Sequence, residues 1–252
     1  MNETLQTIHS LRTIHGSFSQ QDVTAEDLRT ILEACMRAAN ASARQSYSII
    51  VLEDKQSMAK LGYTGSKALI FCVDYNRIID MAGYFNKQFH STEIVSFITG
   101  CVDTVLASQT AAIAAKSLGI DSMFTNCIHR VQLEDVYELL NLPKENCFPL
   151  IELILGYPQN EPAYQKGRLS GKGIIHYGKY HKLSPGELNE IAAEYDSKEN
   201  HLGMIDNWDE LGFSHYLEWF YEKWSGTILD EKQREFYSAL LGAGFLRKDF
   251  LL

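Results

Sequence analysis

The 252-residue sequence lacks the short motifs of several large enzyme classes. It contains no GxSxG, no HExxH, no GxxxxGK[ST] and no GxGxxG after a predicted strand. These absences argue against a serine hydrolase, a zinc peptidase, a P-loop nucleotidase and a Rossmann dehydrogenase. If the protein is an enzyme, we expect its reactive group to come from a cofactor and no side chain to act as the catalyst.

Cysteine and positive charge are also scarce. The five cysteines are odd in number and show no zinc-like spacing, which predicts reduced thiols, mostly in the core, and no metal site. Lysine and arginine number 23 against 32 acidic residues, for a formal net charge of −9, and they are scattered. A nucleic-acid partner is therefore not expected. The N-terminal residues lack the apolar stretch of a signal peptide, which predicts a cytoplasmic location.

Apolar patterns predict an α+β fold of the layered α/β/α type, with helices on both faces of a mixed central sheet. Continuous apolar runs predict buried strands at 48–52, 68–73, 120–125 and 148–155. Thr24 is the predicted cap of one helix, and Ser184, Pro185 and Glu187 are the start signals of another. A short helix is predicted at 133–140.

Segment 94–118 is apolar nearly all round its helical wheel and is long enough to cross a membrane. Asp103, Gln109 and Lys116 argue against a membrane span. We instead expect a central helix that also forms part of a subunit interface and is ended by Gly119.

The predicted organisation is one domain, residues 1–183, followed by a C-terminal extension, residues 184–252. The extension is expected to be wholly helical and to pack on the body or on a partner subunit. Its aromatic-rich segment, residues 208–224, either packs in this way or recognises a substrate.

Four separated segments carry polar side chains suited to a ligand. Arg12–His15 and Lys166–Arg168 offer cations for a phosphate. Loop 40–46, made of small and polar residues, either admits a flat ring or is a plain helix-to-strand turn. Residues 123–127 follow a predicted strand, where ligands often bind. Cys127 has no base beside it in the sequence, which favours an inert thiol over a nucleophile.

In their order, these segments resemble the flavin-dependent nitroreductase superfamily, most closely its NADPH-preferring branch of oxygen-insensitive nitroreductases and flavin reductases. The motifs that carry the resemblance are Arg-Thr-Ile-His at 12–15, Gln-Ser-Tyr-Ser-Ile-Ile at 45–50, Phe-Cys-Val-Asp-Tyr-Asn-Arg at 71–77, the block from Asp103 to Gly119, and Leu-Gly-Tyr-Pro followed by Lys-x-Arg. The sequence departs from the family pattern at His15, where arginine is usual, at Gly16 and Ser17, which add a residue, and at Asn126 and Cys127, which replace two glycines.

The resemblance implies an FMN cofactor and assigns its contacts. The residues implied at the phosphate and ribityl chain are Arg12, Thr13, His15, Lys166 and Arg168. Those implied at the isoalloxazine ring are Ser42, Arg44 and Gln45, with Phe124, Thr125 and Asn126 on the strand-end side.

The resemblance also implies a homodimer that moves two electrons from NADPH or NADH to a nitroaromatic, quinone or flavin acceptor by a ping-pong mechanism. Arg44 is the candidate for stabilising negative charge on the reduced ring. The altered pair at Asn126 and Cys127 leaves an alternative open, a flavin-binding regulator or carrier without significant turnover.

Overall fold

The computed structural model describes residues 1–15, 17–89, 94–126, 131–224, 226 and 230–247. The chain divides into two compact units. The sheet unit comprises residues 1–161 and 230–252, and the insertion unit comprises residues 162–229. The end of the chain therefore returns to the unit that holds the sheet. The division at residue 183 stays a prediction.

The sheet unit contains four antiparallel strands in the spatial order β1-β2-β4-β3. Their bounds are β1 Tyr47–Leu52, β2 Lys67–Asp74, β3 Asp121–Thr125 and β4 Cys147–Gly156. The two central strands, β2 and β4, are almost wholly buried, which explains why they are continuous apolar runs. All four correspond to predicted strands, and the predicted fold class is confirmed. Among the described residues, pairing in the parallel direction is confined to one bridge, between Thr13 and Ser122.

Helices surround this sheet. Their bounds are α1 Glu3–His9, α2 Ala25–Cys35, α3 Lys55–Lys60, α4 Asn76–Tyr84, α5 Ile94–Ser117, α6 Leu133–Leu140, α7 Pro185–Asp196, α8 Tyr216–Lys223 and α9 Asp230–Gly242. Two of them, α7 and α8, belong to the insertion unit. The predicted caps are confirmed. The Thr24 side chain accepts the Asp27 N–H at 3.0 Å, and Ser184 forms a capping box with Glu187 behind Pro185.

Helix α5 lies against the sheet and against α2. Its buried face is built from small and polar residues, including Ala107, Ala111 and Ala115, which allow close packing. The opposite face exposes Ile98 and Val102. By length and composition α5 is the one helix in the described part of the chain that could cross a membrane, a test that core helices also pass. Its buried face is that of a core helix.

The C-terminal part is only partly helical, contrary to the prediction. Residues 201–215 are irregular between α7 and α8, because the segment is rich in Gly, Asp and Asn, which favour turns. Trp208 and Tyr216, both 3% exposed, pack edge to face inside the insertion unit. The structure thus gives the aromatic segment a packing role.

Helix α9 belongs to the sheet unit and contacts α6. Ala243 and Phe245 beyond it are buried with Val73, Tyr75 and Phe148. The cysteines Cys35, Cys72 and Cys147 are buried free thiols, as predicted, and Cys101 is half-buried. Cys127 lies outside the described residues.

Candidate cofactor site

Loop 40–46, between α2 and β1, has an unusual backbone. Ser42, Ala43 and Gln45 take left-handed conformations, with φ of 55°, 56° and 50°. For residues with a side chain this conformation costs about 1 kcal/mol or more each. The loop must therefore be held in this shape by the residues around it.

Asp103 of α5 ties the two ends of the loop together. Its carboxylate oxygens accept the backbone N–H of Ala41 at 2.8 Å and of Ser46 at 3.1 Å. Asp103 is 1% exposed. In the sequence, Asp103 argues against a membrane span and opens the block 103–119 that carries the resemblance, but it was not predicted as a site residue. A lone acid in an apolar helix was nevertheless a usable signal, because a buried carboxylate needs hydrogen-bond donors.

Arg77 of α4 contacts the same loop from the solvent-exposed side. Its Nη2 donates to the carbonyl oxygens of Arg44 and Gln45, each at 2.7 Å. Arg77 ends the motif 71–77 that carries the resemblance, but it was not predicted as a site residue, since an arginine in an exposed helix turn gives no signal of its contact to a distant loop.

The three loop residues predicted at the ring differ in their availability. Ser42 is exposed. Arg44 donates from Nε to the Ala41 carbonyl at 3.3 Å and forms no ion pair with a described residue. Gln45 instead turns its side-chain amide inward, where it donates to the Met36 carbonyl and the Tyr47 hydroxyl.

The N-terminal segment 12–15 lies beside β3. Thr13 bridges Ser122, and the Ile14 N–H donates to the Ser122 carbonyl at 3.1 Å. Both contacts are to Ser122, the second residue of β3. Further along, Phe124 and Thr125 are half-buried and Asn126 is exposed. Thr13 and His15 are exposed.

Loop 40–46 lies at the other edge of the sheet, because it leads into β1. The order β1-β2-β4-β3 leaves two strands between β1 and β3, which separates the edges by roughly 14 Å at the usual strand spacing. Within one chain, the predicted ring loop and segment 12–15 are thus not brought together.

Arg12 is engaged by two acids. Its Nε lies 3.1 and 3.0 Å from the oxygens of Asp121, its Nη2 bonds the same carboxylate at 2.5 Å, and its Nη1 bonds Glu161 at 2.8 Å. Lys116 Nζ adds a bond to Asp121 at 2.7 Å. Only part of the donor capacity of Arg12 remains for a ligand.

Asp121, which is not among the predicted site residues, is buried, with 2% of its side chain exposed. Burial alone would raise the pKa of this carboxyl, but the hydrogen bonds from Arg12 and Lys116 outweigh burial and lower the pKa. The available signal was an acid at the head of a predicted buried strand.

In the insertion unit, Lys166 and Arg168 lack such partners. Lys166 Nζ donates to the Gly203 carbonyl at 2.6 Å, and Arg168 Nη1 donates to the Gly167 carbonyl at 2.7 Å. Both side chains are exposed, and neither pairs with a carboxylate of the described chain.

Gly167 is required between these two cations. A Cβ at this position would lie 2.0 Å from the carbonyl oxygen of Asn200, and the Gly167 N–H donates to the His201 carbonyl at 3.2 Å. The backbone at Gly167 therefore packs directly against residues 200–201. Both cations retain donors for an anion.

Comparison with known proteins shows which family and which solved structures the chain is similar to. The model of the Nitroreductase family matches residues 9–157. The chain is 29% identical over 239 residues to FMN reductase [NAD(P)H] of Bacillus subtilis, covering 88% of this chain and 94% of that protein. It is 31% identical to the NADPH-flavin oxidoreductase of Vibrio harveyi, covering 83% and 89%. The solved structure of NfrA2 from B. megaterium has a TM-score of 0.82 and 26% identity, covering 98% of this chain and 100% of that one.

Proposed function

Because the chain belongs to the nitroreductase family, we propose that it is an NAD(P)H-dependent oxidoreductase with FMN as its cofactor. The observation that carries this proposal is the near full-length similarity to two proteins named for flavin reduction with a nicotinamide donor, over 88% and 83% of the chain. When bound, FMN supplies the two-electron chemistry that no side-chain motif of this sequence provides.

The described residues fit such a cofactor. Lys166 and Arg168 are exposed cations with free donors, as a phosphate ligand requires. The left-handed turn at Ser42 and Ala43 presents small side chains, which let a flat ring approach the backbone. Arg44, which has no acidic partner among the described residues, would place its positive charge near the ring and favour added negative charge there.

We further propose a ping-pong exchange, in which the nicotinamide donor leaves before a nitroaromatic, quinone or flavin acceptor takes the same place. The role of this chain in that exchange is to bind, orient and exclude water, and no side chain acts as a nucleophile. A cytoplasmic location and the absence of a nucleic-acid partner are part of the proposal, and the acidic balance of the sequence supports the second of these.

The active form is proposed to be a homodimer. Its first support is the separation of loop 40–46 from segment 12–15 at opposite sheet edges, since a second copy could bring one to the other. Its second is the exposed apolar face of α5, which a second copy would cover. The exposed residues of that face are Ile94, Val95, Ile98, Val102, Val105 and Leu106.

The visible spectrum tests the proposal. Protein incubated with FMN and freed of excess by gel filtration should be yellow and should bleach under nitrogen when NADPH or NADH is added. Continued NADPH oxidation with a quinone or nitroarene would separate an enzyme from a flavin-binding regulator or carrier. Protein that retains no flavin absorbance contradicts the proposal.

A further inference from the structure

We propose that Asp103 and Arg77 are positioning residues for the flavin ring, which hold loop 40–46 in the one conformation that can receive it. The proposal rests on the proposed function, because the loop is assigned to the ring there. It concerns two residues that contact the loop backbone and that the sequence did not mark as part of the site.

The loop cannot hold this conformation by its own contacts. Three of its residues are left-handed without being glycine. Its internal hydrogen bonds run from the Arg44 N–H and Nε to the Ala41 carbonyl, at 3.1 and 3.3 Å, and from the Gln45 N–H to the Asn40 side chain at 3.2 Å. These bonds are comparable to those that an unstrained turn would make with itself or with water. The strain must be offset by bonds from outside the loop.

Asp103 supplies those bonds at both ends of the loop. Its two oxygens bind the N–H groups of Ala41 and Ser46, which fixes the distance between the ends. Asp103 lies on α5, which packs on the sheet, and the Ser46 carbonyl accepts the Asp74 N–H of β2 at 3.1 Å. Both anchors are therefore rigid elements. A buried carboxylate with two backbone donors makes charge-assisted bonds, which are stronger than neutral ones.

Arg77 holds the middle of the loop. One terminal nitrogen bonds two successive carbonyls, those of Arg44 and Gln45. Successive carbonyls turn toward one donor because Gln45 is left-handed. The bond thus requires the strained conformation and would be lost in a relaxed loop. Arg77 itself is exposed, so its removal leaves the core intact.

Loss of the bonds from Asp103 and Arg77 to loop 40–46 has a defined consequence for flavin binding. When only a fraction of the molecules has the competent loop, the apparent dissociation constant rises by the inverse of that fraction. The bound ring would also sit in a less uniform environment, which changes its visible circular dichroism and its reduction potential. Loss of stability elsewhere in the fold would change neither quantity in the flavin that remains bound.

The test compares FMN affinity, visible circular dichroism of bound flavin and flavin reduction potential in Asp103→Asn and Arg77→Ala. Asp103→Asn keeps the size of the side chain but turns one acceptor into a donor that faces a backbone N–H. We expect the dissociation constant of FMN to rise on the order of tenfold or more in Asp103→Asn and severalfold in Arg77→Ala. Both variants should change the circular dichroism spectrum and the potential of the bound flavin.

The matched control is Thr104→Val. Thr104 neighbours Asp103 on α5 and is fully buried, and its hydroxyl donates to the Gly100 carbonyl of its own helix. This variant should keep the wild-type affinity within about twofold. If Asp103→Asn does not fold, Arg77→Ala decides the question alone.

The proposal that Asp103 and Arg77 position the loop is wrong if Arg77→Ala and folded Asp103→Asn both keep the wild-type FMN affinity, circular dichroism and reduction potential. Failure of the wild-type protein to bind FMN would instead overturn the proposed function.

Discussion

Two cationic groups were implied at the phosphate of FMN, and the structure builds them differently. Arg12 is largely buried and bonds two acids, one of which, Asp121, is almost fully buried. Lys166 and Arg168 are exposed, donate to backbone carbonyls and form no ion pair within the described part of the chain. The same charge therefore has two consequences. Arg12 neutralises an acid that would otherwise be costly to bury, whereas the exposed pair has donors to spare for a ligand.

This difference indicates that the exposed pair contributes affinity and that Arg12 contributes mainly stability. An arginine that leaves its acid for a phosphate would expose Asp121 to the full cost of burial, with only Lys116 as a partner. Lys166 and Arg168 lose no ionic partner when a phosphate arrives.

The largest expected effect is on FMN affinity in the double variant Lys166→Ala, Arg168→Ala. Loss of two charge-assisted bonds should raise the dissociation constant on the order of a hundredfold, measured by flavin fluorescence titration. The free energy of unfolding without FMN should change by less than about 0.5 kcal/mol. Lys179→Ala, Lys182→Ala removes equal charge from exposed positions of the same unit and serves as the control. If both double variants lose FMN affinity equally, Lys166 and Arg168 have no specific role at the phosphate.

The next effect is on stability in Arg12→Met. The substitution leaves Asp121 buried with Lys116 alone, and we expect the free energy of unfolding in urea to fall by roughly 2–4 kcal/mol. Arg29→Met is the control, because Arg29 forms an exposed pair with Glu33 at 4.0 Å, which is worth about 0.5 kcal/mol or less. A variant of Arg12 as stable as that of Arg29 would show that the buried pair is not what stabilises the sheet unit.

The stability that Arg12 provides should depend on pH in a defined direction. Although burial raises the pKa of Asp121, Arg12 and Lys116 lower it below its ordinary value. A carboxyl with a lowered folded-state pKa stabilises the protein above its unfolded-state value of about 3.9, and this contribution is lost as the pH falls further. The difference in unfolding free energy between wild type and Arg12→Met should therefore be full at neutral pH and shrink below about pH 4. A difference constant down to pH 3 would contradict the role of an ionised Asp121.

The sequence predicted the four strands and the helices α2, α5, α6 and α7, because these depend on local apolar patterns and caps, but it did not locate α1, α3 and α4. The segments of the candidate site were proposed from short motifs and stay a prediction. The partners of those segments depend on contacts between distant positions. Arg12 and Asp121 are 109 residues apart, and Asp103 reaches a loop 57 residues before it. The left-handed residues of loop 40–46 could not be predicted either, because serine, alanine and glutamine carry no preference for that conformation.

The smallest expected effect concerns Glu161, the exposed partner of Arg12. Its carboxylate, 74% exposed, bonds Nη1 of Arg12 at 2.8 Å, on a guanidinium whose other contacts belong to Asp121. Glu161→Gln should change the free energy of unfolding by less than about 0.5 kcal/mol, because an exposed ion pair contributes little. If Arg12 also meets the phosphate, removal of a competing negative charge should raise FMN affinity about twofold to threefold. Glu199→Gln, an exposed acid of the insertion unit, controls for net charge. Unchanged affinity in Glu161→Gln would assign Arg12 to Asp121 alone and leave phosphate binding to the exposed pair.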